Sequence, residues 1–227
     1  MQLAKRHIDV GLYTNQTEEM LKFWQTEVGL RFEEMQPLGR GVRQHRHDMN
    51  GSVLKLNSVR DAMPGAKRSG YRELWIASTD VLEPLELCDC DGNEVRLVPN
   101  GFSGVHDIAL GLAVSSAAAF NDFYGRVMQL PPATKNAYRC GDSMLRFRED
   151  PRAGRGQHDA PLQAKGLRYF TIQVLDVDRE HATLVERGAT EGMPPITLGE
   201  TARISFIRDP DGNWIELSQR ASLTGPL

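Results

Sequence analysis

The carboxylate with the clearest setting for chemistry is Glu216, in the stretch RDPDGNWIELSQR at 208–220. The Asp-Pro-Asp-Gly turn signature is typical of a type I turn, and Trp-Ile-Glu-Leu suits one strand of a sheet. Because successive side chains of a strand point to opposite faces, Glu216 faces away from Ile215 and Leu217. It can therefore be a metal ligand in a cavity, one arm of an ion pair, or a carboxylate in solvent.

Histidines near predicted strands are a second candidate set, because imidazole binds metal ions. His7 shares a strand face with Asp9, and the histidines His7, His45 and His47 could form a mixed metal site with Asp9 or Glu73. His45 and His47 share a face of the stretch RQHRHDMNG. They alternate with charged residues there, which favours a polar strand end that faces solvent.

Two internal repeats indicate which elements position these groups. DVGLYTNQTEEMLKFWQTEVGLRF from residue 9 matches ALGLAVSSAAAFNDFYGRVMQL from residue 109, and each has the pattern of a strand followed by a helix. The hairpin stretches LELCDCDGNEVRLVP and ISFIRDPDGNWIELSQ match at an offset of 120 residues. Such self-similarity predicts repeated structural units.

The chain is therefore predicted to have two homologous halves, residues 1–101 and 104–220. Each half divides again into two modules of βαβββ type, which gives an α+β fold class. The second module is truncated, because only TDVLEP at 79–84 stands where its helix should be.

This pattern resembles the vicinal oxygen chelate superfamily: glyoxalase I, the bleomycin and fosfomycin resistance proteins, and type I extradiol dioxygenases. The resemblance rests on the two repeated strand–helix units with their FW and FY pairs, and on DPDGNWIEL at 209–217. It implies tandem modules that form two curved half-barrel sheets around cavities. It also implies one divalent metal, Fe, Mn, Zn or Ni, that chelates vicinal oxygens of a small-molecule substrate.

The metal ligands of the superfamily map onto two positions in each module. The first-strand ligand, usually His, maps in chain order to Asp9, Glu73, Ala109 and Tyr169. The last-strand ligand, usually Glu, maps to Lys55, Arg96, Arg146 and Glu216. The resemblance thus implies as candidate metal ligands Asp9, Glu73, Glu216 and the nearby His7.

Cations at three of these positions disagree with a metal site, because Lys and Arg are positively charged and Arg has no lone pair to offer. Charges in a partly buried cavity need partners, so ion pairs are expected at former metal positions. Three outcomes stay open. The pairs only hold the half-barrels shut, or a metal-free cavity binds an anion, or one metal is retained at an altered site.

The predicted function is that of a superfamily enzyme acting on a small, oxygen-rich, anionic metabolite as a lyase, isomerase or ring-cleaving dioxygenase. Arg146, with Arg96 and Lys55, is expected to bind the substrate, and Glu216 or Tyr169 to act as acid or base. One alternative is a protein that sequesters a small ligand without chemistry, as the resistance proteins do. Another is a catalytically inactive relic.

Composition narrows the partners. The 27 basic and 30 acidic residues nearly balance, which argues against nucleic acid. No apolar run predicts a membrane span, and MQLAKRHIDV lacks the pattern of a signal peptide. Three cysteines without a CxxC pattern favour a reduced, cytoplasmic protein. The truncated second module leaves part of its sheet without a helix, which suggests a homodimer interface.

The polar segment at 149–166, EDPRAGRGQHDAPLQAKG, precedes the first strand of the fourth module. A segment of this length and composition is either a lid over a site or a plain surface loop.

Overall fold

The computed structural model describes residues 1–65, 67–153 and 160–227. Helix α1 (Thr17–Lys22) continues into a π-helical turn at Phe23–Glu27, and α2 (Ala117–Asn121) continues in the same way at Asp122–Val127. Helix α3 (Val177–Glu186) is regular, and α4 (Ala221–Thr224) is a single turn. The shared ending of α1 and α2 agrees with the repeat between residues 9 and 109.

The described residues form fifteen strands. They are β1 (Asp9–Thr14), β2 (Arg31–Gly39), β3 (Val42–Met49), β4 (Ser52–Val59), β5 (Tyr71–Ser78), β6 (Leu85–Cys88), β7 (Glu94–Pro99), β8 (Ile108–Val114), β9 (Pro132–Thr134), β10 (Ala137–Cys140), β11 (Ser143–Glu149), β12 (Gly166–Gln173), β13 (Thr190–Leu198), β14 (Ala202–Arg208) and β15 (Trp214–Arg220).

These strands form two open, curved sheets, as predicted for the α+β class. The first sheet has the order β13-β14-β15-β12-β1-β4-β3-β2, and the second has β6-β7-β5-β8-β11-β10-β9. Strand β1 pairs antiparallel with β12, and β5 pairs antiparallel with β8. The first sheet therefore joins modules 1 and 4, and the second joins modules 2 and 3. The division into halves 1–101 and 104–220 stays a prediction about the repeat, since both sheets are built across it.

One face of each sheet is covered by helices. A single apolar cluster joins these faces of both sheets and contains the helix residues Trp24 and Tyr124, both fully buried. The strands supply alternate residues to this cluster, such as Leu12, Leu74 and Phe170. The opposite face of each sheet is called its concave face below. Because side chains alternate along a strand, the remaining residues point to the concave face.

The Asp-Gly-Asn turns tie the two sheets together. In the first sheet, the Asn213 side-chain oxygen accepts a hydrogen bond from the Gly70 amide, next to β5 of the second sheet, at 2.6 Å. In the second sheet, Asn93 accepts one from the Leu167 amide of β12 at 3.0 Å. Asp209, behind Asn213, is fully enclosed, and burial raises its pKa to about 6. Each turn thus binds the opposite sheet through its Asn side chain, and the two hydrogen bonds are of the same kind.

The second module has no helix between β5 and β6. A cavity of about 530 Å³ lies on its helix side, floored by Val28, Leu30, Ile76 and Leu97. None of the helices formed by residues 1–65, 67–153 and 160–227 has the length and apolar character needed to cross a membrane.

Candidate functional site

The concave face of the first sheet collects the charged positions of modules 1 and 4. Strand pairing places Lys55 beside Gly11, Tyr169 across from Gly11, and Glu216 beside Thr171. Lys55, Tyr169, Thr171 and Glu216 are all buried. Residues far apart in the sequence therefore meet at the centre of one sheet, where β1 and β12 lie side by side.

Lys55 and Glu216 form a buried ion pair. The Lys55 Nζ lies 2.7 Å from Glu216 Oε2 and donates a second hydrogen bond to Thr171 Oγ1, also at 2.7 Å. The Thr171 hydroxyl in turn donates to Glu216 Oε2. Lys55 is 3% exposed and Glu216 is 8% exposed. Of the three roles open to Glu216, the geometry supports the arm of an ion pair.

Asp9 is held at the start of β1 by three donors. Lys5 Nζ lies 2.7 Å away, and the Val53 amide and the Gln173 side-chain amide each donate at 3.0 Å. Burial by itself raises the pKa of Asp9, but the positive charges of Lys55 and Lys5 and these hydrogen bonds outweigh it, so the pKa is lowered. Asp9 is therefore a buried but ionised carboxylate whose two oxygens both accept hydrogen bonds.

Tyr169 fills the space over Gly11. A Cβ atom on Gly11 would lie 2.1 Å from the Tyr169 ring, so only glycine leaves room for it. The Tyr169 hydroxyl accepts a hydrogen bond from the Asn57 side-chain amide at 3.3 Å, and burial raises the pKa of Tyr169 well above its usual value. A phenol in this setting stays protonated.

The second sheet arranges its four positions differently. Arg96 and Arg146 come from strands on either side of the central β5–β8 pair, and both guanidinium groups lie over the Trp75 ring, at 4.8 and 3.9 Å from its centre. Glu73 lies over Gly111, and Ala109 adds no polar atom. Arg96 also pairs with Glu86, an exposed residue of the edge strand β6.

Arg146 has the more demanding environment of the two arginines. Its Nη1 atom is buried and finds no hydrogen-bond acceptor within residues 1–65, 67–153 and 160–227. Burial lowers the pKa of Arg146, the nearby Glu73 raises it, and Arg96 lowers it again. A buried donor without an acceptor is costly, so this atom is suited to receive an acceptor from a ligand.

Two cavities adjoin these residues, and Glu73 lines both. The larger, of about 280 Å³, is lined by Arg96, Glu94 and Cys88 among others. The smaller, of about 120 Å³, is lined by Arg146 and Gly111. The concave face of the second sheet thus has space beside its cations.

The positions that hold metal in the superfamily do not fit a divalent ion in this chain. In the first sheet the Lys55 ammonium lies 2.7 Å from Glu216 Oε2, where its positive charge repels a divalent ion. In the second sheet Arg96 and Arg146 are cations, and Ala109 offers no donor atom. No catalytic step is therefore assigned to a metal at these positions.

The sequence-predicted site residues divide between the sheets. Asp9, Lys55, Tyr169 and Glu216 lie together on the first sheet, and Glu73, Arg96 and Arg146 on the second. His7 joins neither group, because β1 begins at Asp9 and the His7 ring turns toward Asp107, 3.6 Å away.

His47 corrects one expectation from the sequence. It is completely buried rather than facing solvent, and its Nε2 lies 3.1 Å from the Gln25 side-chain amide of the π-helical turn after α1. Burial lowers the pKa of His47 to about 4. The strand pattern could not reveal this, because the cover comes from a different element.

Three residues of the site were not foreseen from the sequence: Trp75, Thr171 and Gln173. Period-2 alternation could have found them, since Thr171 and Gln173 follow Tyr169 at steps of two and Trp75 follows Glu73 in the same way.

The segment at 149–166 is only partly described, because residues 154–159, including His158, lie outside the described ranges. Ala160, in the described part of this segment, accepts a hydrogen bond from the Trp214 indole at 3.0 Å.

Comparison with known proteins identifies the family. The model of the Glyoxalase/Bleomycin resistance protein/Dioxygenase superfamily matches residues 104–217, half of the chain. The chain belongs to this superfamily. No curated protein matches its sequence.

Solved structures of the superfamily share the fold at low sequence identity. Glyoxalase I from Zea mays superposes with a TM-score of 0.69 at 12% identity, over 94% of this chain and 92% of that chain. A Bacillus subtilis protein proposed to be a dioxygenase superposes with a TM-score of 0.72 at 11% identity, over 96% and 86% of the two chains. At such identity the likeness establishes the fold of this superfamily member and leaves its activity open.

Proposed function

We propose that this superfamily member binds a small anionic metabolite on the concave face of the second sheet and acts on it without a metal at the superfamily's ligand positions. The observation that carries the proposal is the buried Nη1 of Arg146, a charged donor without an acceptor among the described residues. A carboxylate or enolate oxygen supplies such an acceptor with charge-assisted strength.

The charges that line the smaller cavity support the choice of an anion, because Arg72, Arg146 and Arg148 outnumber Glu73 there. Arg96 lies over the same Trp75 ring as Arg146, so two positive charges converge on one part of the face. Lys55 of the first sheet is not part of this proposal, because its ammonium is committed to Glu216 and Thr171. The cavities of about 280 and 120 Å³ suit a small metabolite rather than a large one.

Glu73 is the proposed base. It lines both cavities, and its charge influences Arg146. In this role its carboxylate takes a proton from the carbon next to the substrate carboxyl, and Arg146 holds the negative charge of the resulting enolate. Glu216 and Tyr169 lie on the other sheet and are not assigned this step. This chemistry is that of an isomerase or lyase.

The binding step is tested by calorimetry with a panel of small carboxylates such as malonate, oxalate and benzoate. We expect Arg146→Met to weaken binding of the best ligand by about 10- to 100-fold, the loss of one charged hydrogen bond. The matched control is Arg203→Met, because Arg203 of β14 in the first sheet pairs with Asp178 of α3 and lines neither cavity. Equal affinity in the two variants would contradict the proposal.

The chemical step is tested separately with malonate, the member of this panel that has hydrogens on the carbon next to a carboxyl, by following their exchange with deuterated water by NMR. Exchange in the wild-type protein that is lost in Glu73→Gln, with binding retained, is the expected result. Binding without any exchange would instead favour a protein that sequesters its ligand.

A further inference from the structure

We infer that His7, Asp107 and Asp142 form a binding site for a single divalent transition-metal ion, for which Zn²⁺ is the best match. The three residues come from the segment before β1, the turn before β8 and the turn between β10 and β11. One imidazole nitrogen and two carboxylate oxygens of these residues all lie within 4.8 Å of one another. None of these three residues occupies a mapped ligand position of the superfamily, and none lines the two cavities of the proposed anion site.

The spacing of the donor atoms suits one ion. His7 Nε2 lies 3.6 Å from Asp107 Oδ2 and 4.0 Å from Asp142 Oδ2. Two ligands at about 2.1 Å from a tetrahedral zinc are about 3.4 Å apart. The three separations, of 3.6 Å, 4.0 Å and at most 4.8 Å, exceed this value, so the side chains must rotate inward to bind one ion, and the fourth position is left for water or a ligand.

The chemistry of the donors selects the metal. Imidazole with carboxylates is a set that zinc and its neighbours accept, whereas Mg²⁺ and Ca²⁺ prefer oxygen ligands alone. Two carboxylates and one neutral imidazole give the set a charge of −2. All three side chains are half-buried, between 26% and 34% exposed, so an ion can reach them from solvent.

The backbone around the three ligands is tied together. Ala77 donates its amide to the Asp107 carbonyl at 2.8 Å, and Asn50 donates its side-chain amide to the same carbonyl at 3.1 Å. The Asp142 amide donates to the Arg6 carbonyl, next to His7, at 2.7 Å. These bonds hold the three segments in place before any ion arrives.

Two glycines allow this close approach. Gly51 lies against the His7 ring, where a Cβ would be 3.0 Å from the ring. Gly141, at a φ of +62°, lies against the Arg6 backbone, where a Cβ would be only 1.9 Å from the carbonyl oxygen. Because side chains at these positions would push the ligand segments apart, the glycines shape the space in which His7 faces the two carboxylates.

Arg6 already contacts Asp142 and does not block the site. Its guanidinium donates to both carboxylate oxygens, at 2.8 and 2.6 Å, but Arg6 is 75% exposed and such a surface pair is weak. Each carboxylate oxygen has two lone pairs, so Oδ2 keeps one for an ion. Arg6 thus orients Asp142 as partners behind metal ligands do.

The test uses the full chain, produced without a histidine tag and stripped of metal with a chelator. Equilibrium dialysis against Zn²⁺ should load about one ion per chain. We expect His7→Ala and Asp107→Asn each to weaken zinc binding by at least about 10-fold. The matched control is His106→Ala, because His106 adjoins Asp107 in sequence but is bonded to Asn100 at 2.9 Å.

Further variants separate this site from other zinc-binding groups. A Cys88→Ser/Cys90→Ser protein lacks the two exposed thiols and should load zinc as the wild type does. Arg146→Met should also load zinc normally, so failure of the anion proposal would leave this one standing. No zinc uptake by the wild type, or uptake that His7→Ala leaves unchanged, would overturn the inference.

Discussion

The two concave faces have the same strand arrangement but opposite use of charge. In the first sheet the last-strand positions hold Lys55 and Glu216, which neutralise each other at 2.7 Å. In the second sheet the same positions hold Arg96 and Arg146, which repel each other and share the Trp75 ring instead. Opposite charges at equivalent positions pair with each other, whereas like charges leave Arg146, at which we propose that an anion binds.

A second difference concerns what lies over the central glycine of each sheet. Tyr169 covers Gly11 with a buried ring, and Glu73 covers Gly111 with a half-buried carboxylate. The backbone geometry is repeated, but the residue over the glycine differs. Tyr169 is an uncharged, fully packed ring, whereas Glu73 is charged and borders two cavities. The first sheet is therefore the structural one in our interpretation, and the second carries the proposed site.

The largest expected effect comes from breaking the ion pair of the first sheet. Lys55→Met leaves the Glu216 carboxylate buried with Thr171 as its one hydrogen-bond partner among the described residues, so we expect a loss of about 3–5 kcal/mol in the free energy of unfolding. Urea titration followed by circular dichroism measures it. The double variant Lys55→Met/Glu216→Met should recover most of the loss, because no charge then stays unpaired; a double variant no better than the single one would contradict the role of the pair.

Asp9 should show the next largest effect and a defined pH dependence. Asp9→Asn removes the negative charge beside Lys5 and replaces one acceptor oxygen by an amide group, so either Lys5 or Gln173 loses its bond, which should cost about 2–3 kcal/mol at pH 7. Because the pKa of Asp9 is lowered in the folded protein, its contribution is present above the unfolded value near 4 and is lost as pH falls through the folded value.

Urea titrations of wild type and Asp9→Asn at pH 7 and at pH 3 check both parts. The difference in unfolding free energy between the two proteins should shrink at the lower pH. Asp178→Asn, at an exposed ion pair with Arg203, is the control and should change little at either pH. A constant difference across this range would argue against an ionised Asp9.

Substitutions at Gly11 and Gly111 test whether the side chains that lie over these glycines differ in their freedom to move. Gly11→Ala forces the buried Tyr169 ring to move and should cost about 1–3 kcal/mol. Gly111→Ala displaces Glu73, which can move toward the adjoining cavities, so its cost should be smaller. Thermal unfolding of the two variants compares them, and an equal loss would remove this distinction between the sheets.

The smallest effect on stability is expected at the proposed site itself. Arg146→Met removes a contact with Trp75 and a buried donor without an acceptor, so the free energy of unfolding should change by less than about 1 kcal/mol. The same variant should lose most anion binding. A large loss of stability would instead indicate that Arg146 holds the second sheet together, as Lys55 does in the first.

Local patterns in the sequence predicted much of this architecture. The strand and helix patterns from residues 9 and 109 correspond to β1 with α1 and to β8 with α2, and the two Asp-Gly-Asn turns lie in matching hairpins. The alternation around Glu216 correctly separated it from Ile215 and Leu217, which belong to the apolar cluster. The edge strands β9 and β13 were not predicted, because neither alternates clearly and both are largely exposed.

Contacts between distant elements were beyond the sequence. The burial of His47 depends on Gln25 of another element, and the meeting of His7 with Asp107 and Asp142 depends on three separate turns. Nothing in the residues around His7 indicates the two aspartates, because they lie about a hundred or more positions away.

The sequence by itself determined the repeat, the superfamily resemblance and the strand face of the charged residues at the mapped ligand positions. These properties depend on spacing within single strands and helices, which local patterns record. Only the tertiary structure decided that module 1 pairs with module 4 and module 2 with module 3. That pairing brings Lys55 to Glu216 and separates Glu216 from Arg146, because which strands share a sheet depends on packing of the whole chain.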